Sequence, residues 1–177
     1  TDANVTVLCD PTLLLAQNEW NKIAIKPKGI PEKYILCYFL GHINQKYTKA
    51  SERIEKELES ICYHMANKNN ADSFITGPSE FIYAIKNAQF VITDSFHAVA
   101  FSLIFKKPFL VCSRLNDNGR SEGIDSRIDL LLDMFDMKYR KYSENLIYSD
   151  LLNPIDKTEK IFNEQRCKTE KYFDELN

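Results

Sequence analysis

Residues 90–112 read FVITDSFHAVAFSLIFKKPFLVC. Phe90–Thr93 and Phe109–Cys112 are short, unbroken apolar runs, the pattern of strands covered on both faces. His97–Phe105 between them is a short, mostly apolar helix, which Lys106-Lys107-Pro108 ends. A strand, a helix and a strand in so short a span form a βαβ unit, and such a unit makes its two strands parallel.

The same pattern extends to both sides. Tyr34–Leu40, stopped by Gly41, is a third buried strand. Lys49–Lys68 has helical spacing, with Ile54, Leu58, Ile61, Cys62 and Met65 on one face and His64 beside that stripe. Phe74–Ile75 is a weak strand candidate. Gly77-Pro78 turns the chain, and Ser79 can cap a helix carrying Phe81, Ile82 and Ile85. Beyond the polar loop Ser113–Gly123, residues Ile128, Leu131, Leu132 and Phe135 mark another helix. Val5–Cys9 reads as a strand at the very start of the chain, which suggests a piece of a longer protein. Lys26–Pro31 is a connector, and Thr158–Leu176 is a charged but periodic helix.

Alternating strands and helices predict an α/β fold with an all-parallel sheet between two helical layers. Tyr34–Leu40, Phe90–Thr93 and Phe109–Cys112 are expected as its interior strands. The organisation expected is 1–31 as the end of a preceding domain and linker, 32–157 as the ligand-binding domain, and 158–177 as a C-terminal helix. Trp20, Leu13–Leu15, Phe162 and Phe173 are expected to form an exposed apolar patch facing the remainder of the protein.

Composition excludes several classes. The 177 residues are 44% apolar and 27% charged, too apolar for disorder. No run of about 18 apolar residues occurs, so no transmembrane helix is expected. With 23 Lys and Arg against 25 Asp and Glu, the net charge is -2, which does not favour a nucleic-acid partner. Neither GxGxxG nor GxxxxGK[ST] is present. Cysteines stand at 9, 37, 62, 112 and 167, with no CxxC and only three histidines, so neither a disulfide framework nor a metal site is expected. Cys37 and Cys112 read as small core residues of a protein from a reducing compartment.

Parallel sheets bind ligands beyond the carboxyl ends of their strands. Gly41-His42, Gly77–Glu80, Asp94–His97 and Ser113–Arg127 share that address. Asp94-Ser95-Phe96-His97 is the sharpest. Asp94 or Ser95 can cap the helix, whose free N–H groups attract an anion, and His97 can transfer a proton. Glu80 can hold a ligand hydroxyl or simply complement the helix dipole. Ser102 is expected to bond back to its own helix. Arg114, Arg120 and Arg127 lie on or just past a loop at the strand tips. Arg127, at a helix start beside Ser126, is disfavoured by the dipole and so implies an ion pair with Asp125 or Asp129, or a ligand phosphate.

The stretch GPSEFIYAIKNAQFVITDSFHAVAFSLIFKKPF, residues 77–109, resembles the polysaccharide pyruvyl transferase family. Asp10-Pro-Thr-Leu-Leu, Trp20, Tyr34–Gly41 and Ser126–Leu131 extend the resemblance. It implies a Rossmann-like domain resembling the C-terminal half of a two-domain transferase of the GT-B type, with the N-terminal half outside this chain. It implies transfer of a pyruvyl group from phosphoenolpyruvate to hydroxyls of a surface glycan, in the bacterial cytoplasm, with no cofactor. His97 and Asp94 match its catalytic motif, and Ser95, Gly77, Ser79, Glu80, Arg120, Ser126 and Arg127 are the implied substrate contacts. Loose association with membrane-bound assembly machinery and a homo-oligomer are further expectations. Two other readings stay open: a GT-B half using a nucleotide-sugar donor, and a non-catalytic scaffold in glycan assembly.

Overall fold

The computed structural model describes residues 6–65, 77–121, 123 and 126–175. Four parallel strands make one sheet: β1 (Ile35–Tyr38), β2 (Cys62–Met65), β3 (Phe90–Thr93) and β4 (Phe109–Val111), in the order β2-β1-β3-β4. The register sets Ile35 against Cys62 on one side of β1 and Phe90 on the other, and Val91 against Phe109. The helices are α1 (Gln17–Ile23), α2 (Gln45–Leu58), α3 (Pro78–Asn87), α4 (Phe96–Ile104), α5 (Ser126–Met134), α6 (Tyr148–Leu151) and α7 (Thr158–Asp174). None is long and apolar enough to cross a membrane.

Strand alternation divides the core into two layers. Leu36, Val91, Phe109 and Val111 pack with residues of α3, α4, α5 and α7 on one face. Ile35, Cys37, Phe90, Ile92, Leu110 and Cys112 pack with Tyr47, Ala50 and Ile54 of α2 and with Leu151 on the other. This is the expected three-layer α/β architecture. Each large apolar side chain fully enclosed here contributes about 1.5–3 kcal/mol. With α2 and α4 on opposite faces and the strand order 2-1-3-4, the chain reverses its direction of winding between β1 and β3. That gap is where ligands of such sheets bind.

The structure corrects several local expectations. β4 is fully buried but ends the sheet order. Its outer edge is closed by a bridge from Val111 to Lys141 and by the Tyr142 N–H donating to the Val111 carbonyl at 2.7 Å. Arg140, fully buried, donates to the carbonyls of Leu151 (2.8 Å) and Asn153 (3.0 Å) and covers the same edge. The first long helix runs Gln45–Leu58, not Lys49–Lys68. Glu59 adopts a left-handed conformation (φ 46°) that turns the chain, and Cys62–Met65, His64 included, becomes β2. Gly77, not Ser79, caps α3, because Pro78 occupies the first helical position.

Residues 6–10 form no strand. Asp10 instead accepts the Thr12 N–H at 2.9 Å and starts a single helical turn, Pro11–Leu13. Carbonyls nearby are taken by α7 cations: Leu14 by Arg166 at 3.0 Å and Val7 by Lys168 at 2.8 Å. The expected apolar patch shrinks accordingly. Leu13 and Phe162 are buried, Trp20 packs edge-on against Phe101 at 4.9 Å, and Leu15 and Phe173 stay exposed. Phe74–Ile75 lies outside the described residues.

Candidate active site

At the gap between β1 and β3, Asp94 fills the space between the two strand ends. It is 1% exposed, and its oxygens accept the N–H groups of Leu40 and Gly41, each at 2.8 Å. Both oxygens are thus engaged in positioning the loop after β1. Thr93 adds a second tie, donating to the Tyr38 carbonyl at 2.6 Å while accepting the Ser95 N–H at 3.0 Å. Arg114, from the loop after β4, donates to the Asp94 carbonyl at 3.3 Å and holds its Nε 3.8 Å from the carboxylate. Burial, reinforced by the Asp94 charge, pushes up the hydroxyl of Tyr38 and the thiol of Cys112.

Ser95 is the N-cap of α4 and accepts the Ala98 N–H at 3.5 Å. Phe96 and His97 supply the first two N–H groups of the helix, which have no acceptor within it. The helix interior is buried from Ala98 onward, while His97 itself is exposed. Its ring meets that of Phe96 edge-on at 5.4 Å. Arg127, in the first turn of α5, lies over the same Phe96 ring at 5.0 Å. His97 and Arg127 therefore both meet the ring of Phe96. Asp129 is bonded to Lys141 at 2.6 Å, so Arg127 is left to Phe96 among the described residues. Asp125 lies outside them.

Beside Phe96 and Arg127 opens a cleft of about 220 Å³ walled by Cys9, Leu13, Leu131 and Met134. Its lining is mostly apolar, with the Arg127 guanidinium and the Asp10 carboxylate as its charged groups. A larger surface groove along α7, lined by Lys160, Cys167 and Lys171, includes no residue of this rim.

The remaining sequence candidates are spread around the rim. α3 begins at Gly77, where the Glu80 carboxylate folds back so closely that a Cβ on Gly77 would meet its Oε2 at 3.0 Å. The Ser79 carbonyl accepts the Ile25 N–H at 3.1 Å. Neither residue is bonded to His97 among the described residues. Arg120 is exposed on a turn closed by its own N–H to Asn116 at 3.0 Å, and Ser126 is exposed at the start of α5. Ser102 donates to the Ala98 carbonyl at 2.7 Å, as expected.

Sequence reasoning placed Gly41 and Arg114 at the rim but overlooked Thr93 and the contacts that tie Gly41 and Arg114 to Asp94. The only signal in the sequence is a Thr and an Asp following an apolar strand, which by itself does not reveal a partner in a distant loop.

Residues 1–116 match the family model described as polysaccharide pyruvyl transferase. No curated protein and no solved structure matches the chain.

Proposed function

The chain belongs to the polysaccharide pyruvyl transferase family, and on that premise we propose that it handles the donor of an enzyme that transfers a pyruvyl group from phosphoenolpyruvate to two glycan hydroxyls, forming a ketal. The observation that carries the reading is His97, an exposed imidazole in the first turn of a helix that starts at the gap between β1 and β3. A second domain of the GT-B kind would bring the glycan to it. Use of phosphoenolpyruvate fits a cytoplasmic reaction.

The chemistry sets the demands. A proton adds to the methylene carbon of the donor and makes it a methyl group. The adjacent carbon acquires oxocarbenium character and is attacked by one hydroxyl oxygen, which gives up its proton. The bond to phosphate breaks, and the second hydroxyl oxygen takes the place of phosphate. One hydroxyl proton balances that given to the methylene, and the other leaves with phosphate, so the transfer is redox neutral.

His97 delivers the proton, at an exposed position that a donor can reach. The N–H groups of Phe96 and His97 and the positive end of α4 hold the phosphate. Arg127 binds the carboxylate in the planar, two-pronged way of a guanidinium, and the apolar cleft beside Phe96 receives the methylene group. Asp94 and Ser95 keep the corner in shape. Arg120, Ser126 and the Gly77–Glu80 helix start line the path of the glycan.

The test is phosphate release by the full-length protein supplied with phosphoenolpyruvate and candidate acceptor glycans. Release that depends on both substrates, with pyruvate recovered on the glycan, is expected. Transfer from nucleotide sugars with none from phosphoenolpyruvate would overturn the donor assignment.

A further inference from the structure

Cys37 on β1 and the Cys62–His64 pair on β2 gather on the α2 face of the sheet, apart from the residues of the candidate active site. Cys37 in β1 is the register partner of His64 in β2, and Cys62 precedes His64 by two positions. Strand alternation therefore turns all three side chains to the same face. One donor atom from each, two sulfurs and an imidazole nitrogen, lies within 4.8 Å of the other two. Two sulfurs on a tetrahedral zinc ion, with bonds of about 2.3 Å, sit about 3.8 Å apart. Small side-chain rotations bring this cluster to that spacing.

We propose that Cys37, Cys62 and His64 bind one thiophilic divalent cation of the zinc type, with a fourth position open to water. Two thiolates neutralise the dication, and an imidazole completes a donor set that selects zinc-like ions over magnesium or calcium. The surroundings fit such an ion. Glu55 of α2 accepts the Cys62 N–H at 2.6 Å, which fixes the strand at the ligand and adds a negative charge beside the cation. Cys37 is buried, Cys62 half-buried and His64 exposed, so the ion enters from the His64 side. The ion would pin β2 to β1, just behind the strand end that Asp94 and Thr93 hold at the rim.

The full-length protein, reduced and freed of metal, is titrated with Cd²⁺ and with Zn²⁺ against a chromophoric chelator. One ion per chain is expected, with a thiolate-to-cadmium ultraviolet band. X-ray absorption of the zinc form should show two sulfur neighbours at about 2.3 Å and one nitrogen at about 2.0 Å. Cys62→Ser and His64→Gln should each weaken binding at least tenfold, whereas Cys9→Ser and Cys167→Ser should leave it unchanged. His64→Gln is the decisive variant, because the exposed side chain is replaced without disturbing the core. A reduced protein that binds no Cd²⁺ overturns the proposal. A sulfur band that survives both Cys62→Ser and His64→Gln overturns it equally.

Discussion

The Gly41 N–H donates to the Asp94 carboxylate at 2.8 Å, joining the ends of two parallel strands from positions 53 residues apart. The glycine is needed there for closeness of approach and not for its backbone angles. A Cβ on Gly41 would lie 2.5 Å from the Leu115 carbonyl oxygen and 2.7 Å from Arg114 Cγ. The Leu115 carbonyl has little freedom to retreat, since it accepts the His42 N–H at 2.8 Å. Gly41→Ala is therefore expected to cost about 1–3 kcal/mol as an overpacking substitution. A urea-unfolding midpoint equal to that of the parent protein would show that the loop yields easily.

Asp94→Asn tests whether this carboxylate positions or reacts. An amide has a single oxygen for two N–H donors, and its NH₂ group would face one of them. Losing a hydrogen bond to a buried charge, of the kind worth about 1.5–3 kcal/mol, should lower stability by a similar amount. Turnover should fall with the misplaced rim, while the shape of the pH–rate profile is retained. Parental stability combined with loss of one limb of that profile would instead make Asp94 a proton-transfer group.

The sheet was legible because its strands announce themselves. Tyr34–Leu40, Phe90–Thr93 and Phe109–Cys112 are apolar on both faces, and nothing but a covered parallel sheet accommodates them. β2 was not legible. Ile61, Cys62 and Met65 continue the apolar stripe of α2 in helical phase, and the break is made by Glu59 in a left-handed conformation, which no glycine or proline advertises. The Asp94–His97 corner could be located from the polar interruption alone. Its partners could not, because Gly41 and Arg114 reach Asp94 only through the tertiary fold. The same holds for Cys37 and Cys62, whose separation in sequence matches no metal-binding pattern, although the strand register brings them together.

The cysteines should differ sharply in reactivity. Burial, then the Asp94 charge, pushes the Cys112 thiol up, and the Cys37 thiol is pushed up by its hydrogen bond with Cys62 and by burial. A raised pKa means less thiolate at a given pH, and the thiolate is the nucleophile. Cys167 is exposed. Iodoacetamide at about pH 8, followed by mass spectrometry, should label Cys167 early and leave Cys37 and Cys112 untouched until the protein unfolds. Labelling of Cys112 as fast as Cys167 would mean that β4 opens far more readily than its complete burial indicates.

Arg140 should be structural and intolerant of shortening. Its guanidinium serves the carbonyls of Leu151 and Asn153 at the covered edge of β4, and no carboxylate pairs with it among the described residues. Arg140→Ala leaves those acceptors without their donor and opens a cavity, at an expected cost of about 3–5 kcal/mol. Thermal unfolding reads the loss directly. A shift of less than a degree would mean that water replaces the guanidinium at no cost.

His97 and Arg127 divide the proposed chemistry, and their variants should separate along different kinetic parameters. His97 is exposed, so His97→Ala should fold normally and, in the full-length enzyme, lower turnover by about 10²–10⁴-fold if the imidazole gives the proton to the methylene carbon. His97→Gln restores hydrogen bonding without a transferable proton and should recover little. Were His97 only a phosphate ligand, Gln would recover much of the rate, and the donor KM would rise while kcat held. Arg127→Ala should act on binding, raising the donor KM by about 10–100-fold, the range for a hydrogen bond to a charged group. Arg127→Lys keeps the charge but loses the planar fork over Phe96, and should recover only part of that affinity. Normal transfer by His97→Ala would remove the imidazole from the reaction and leave the helix start and Arg127 as an anion site alone.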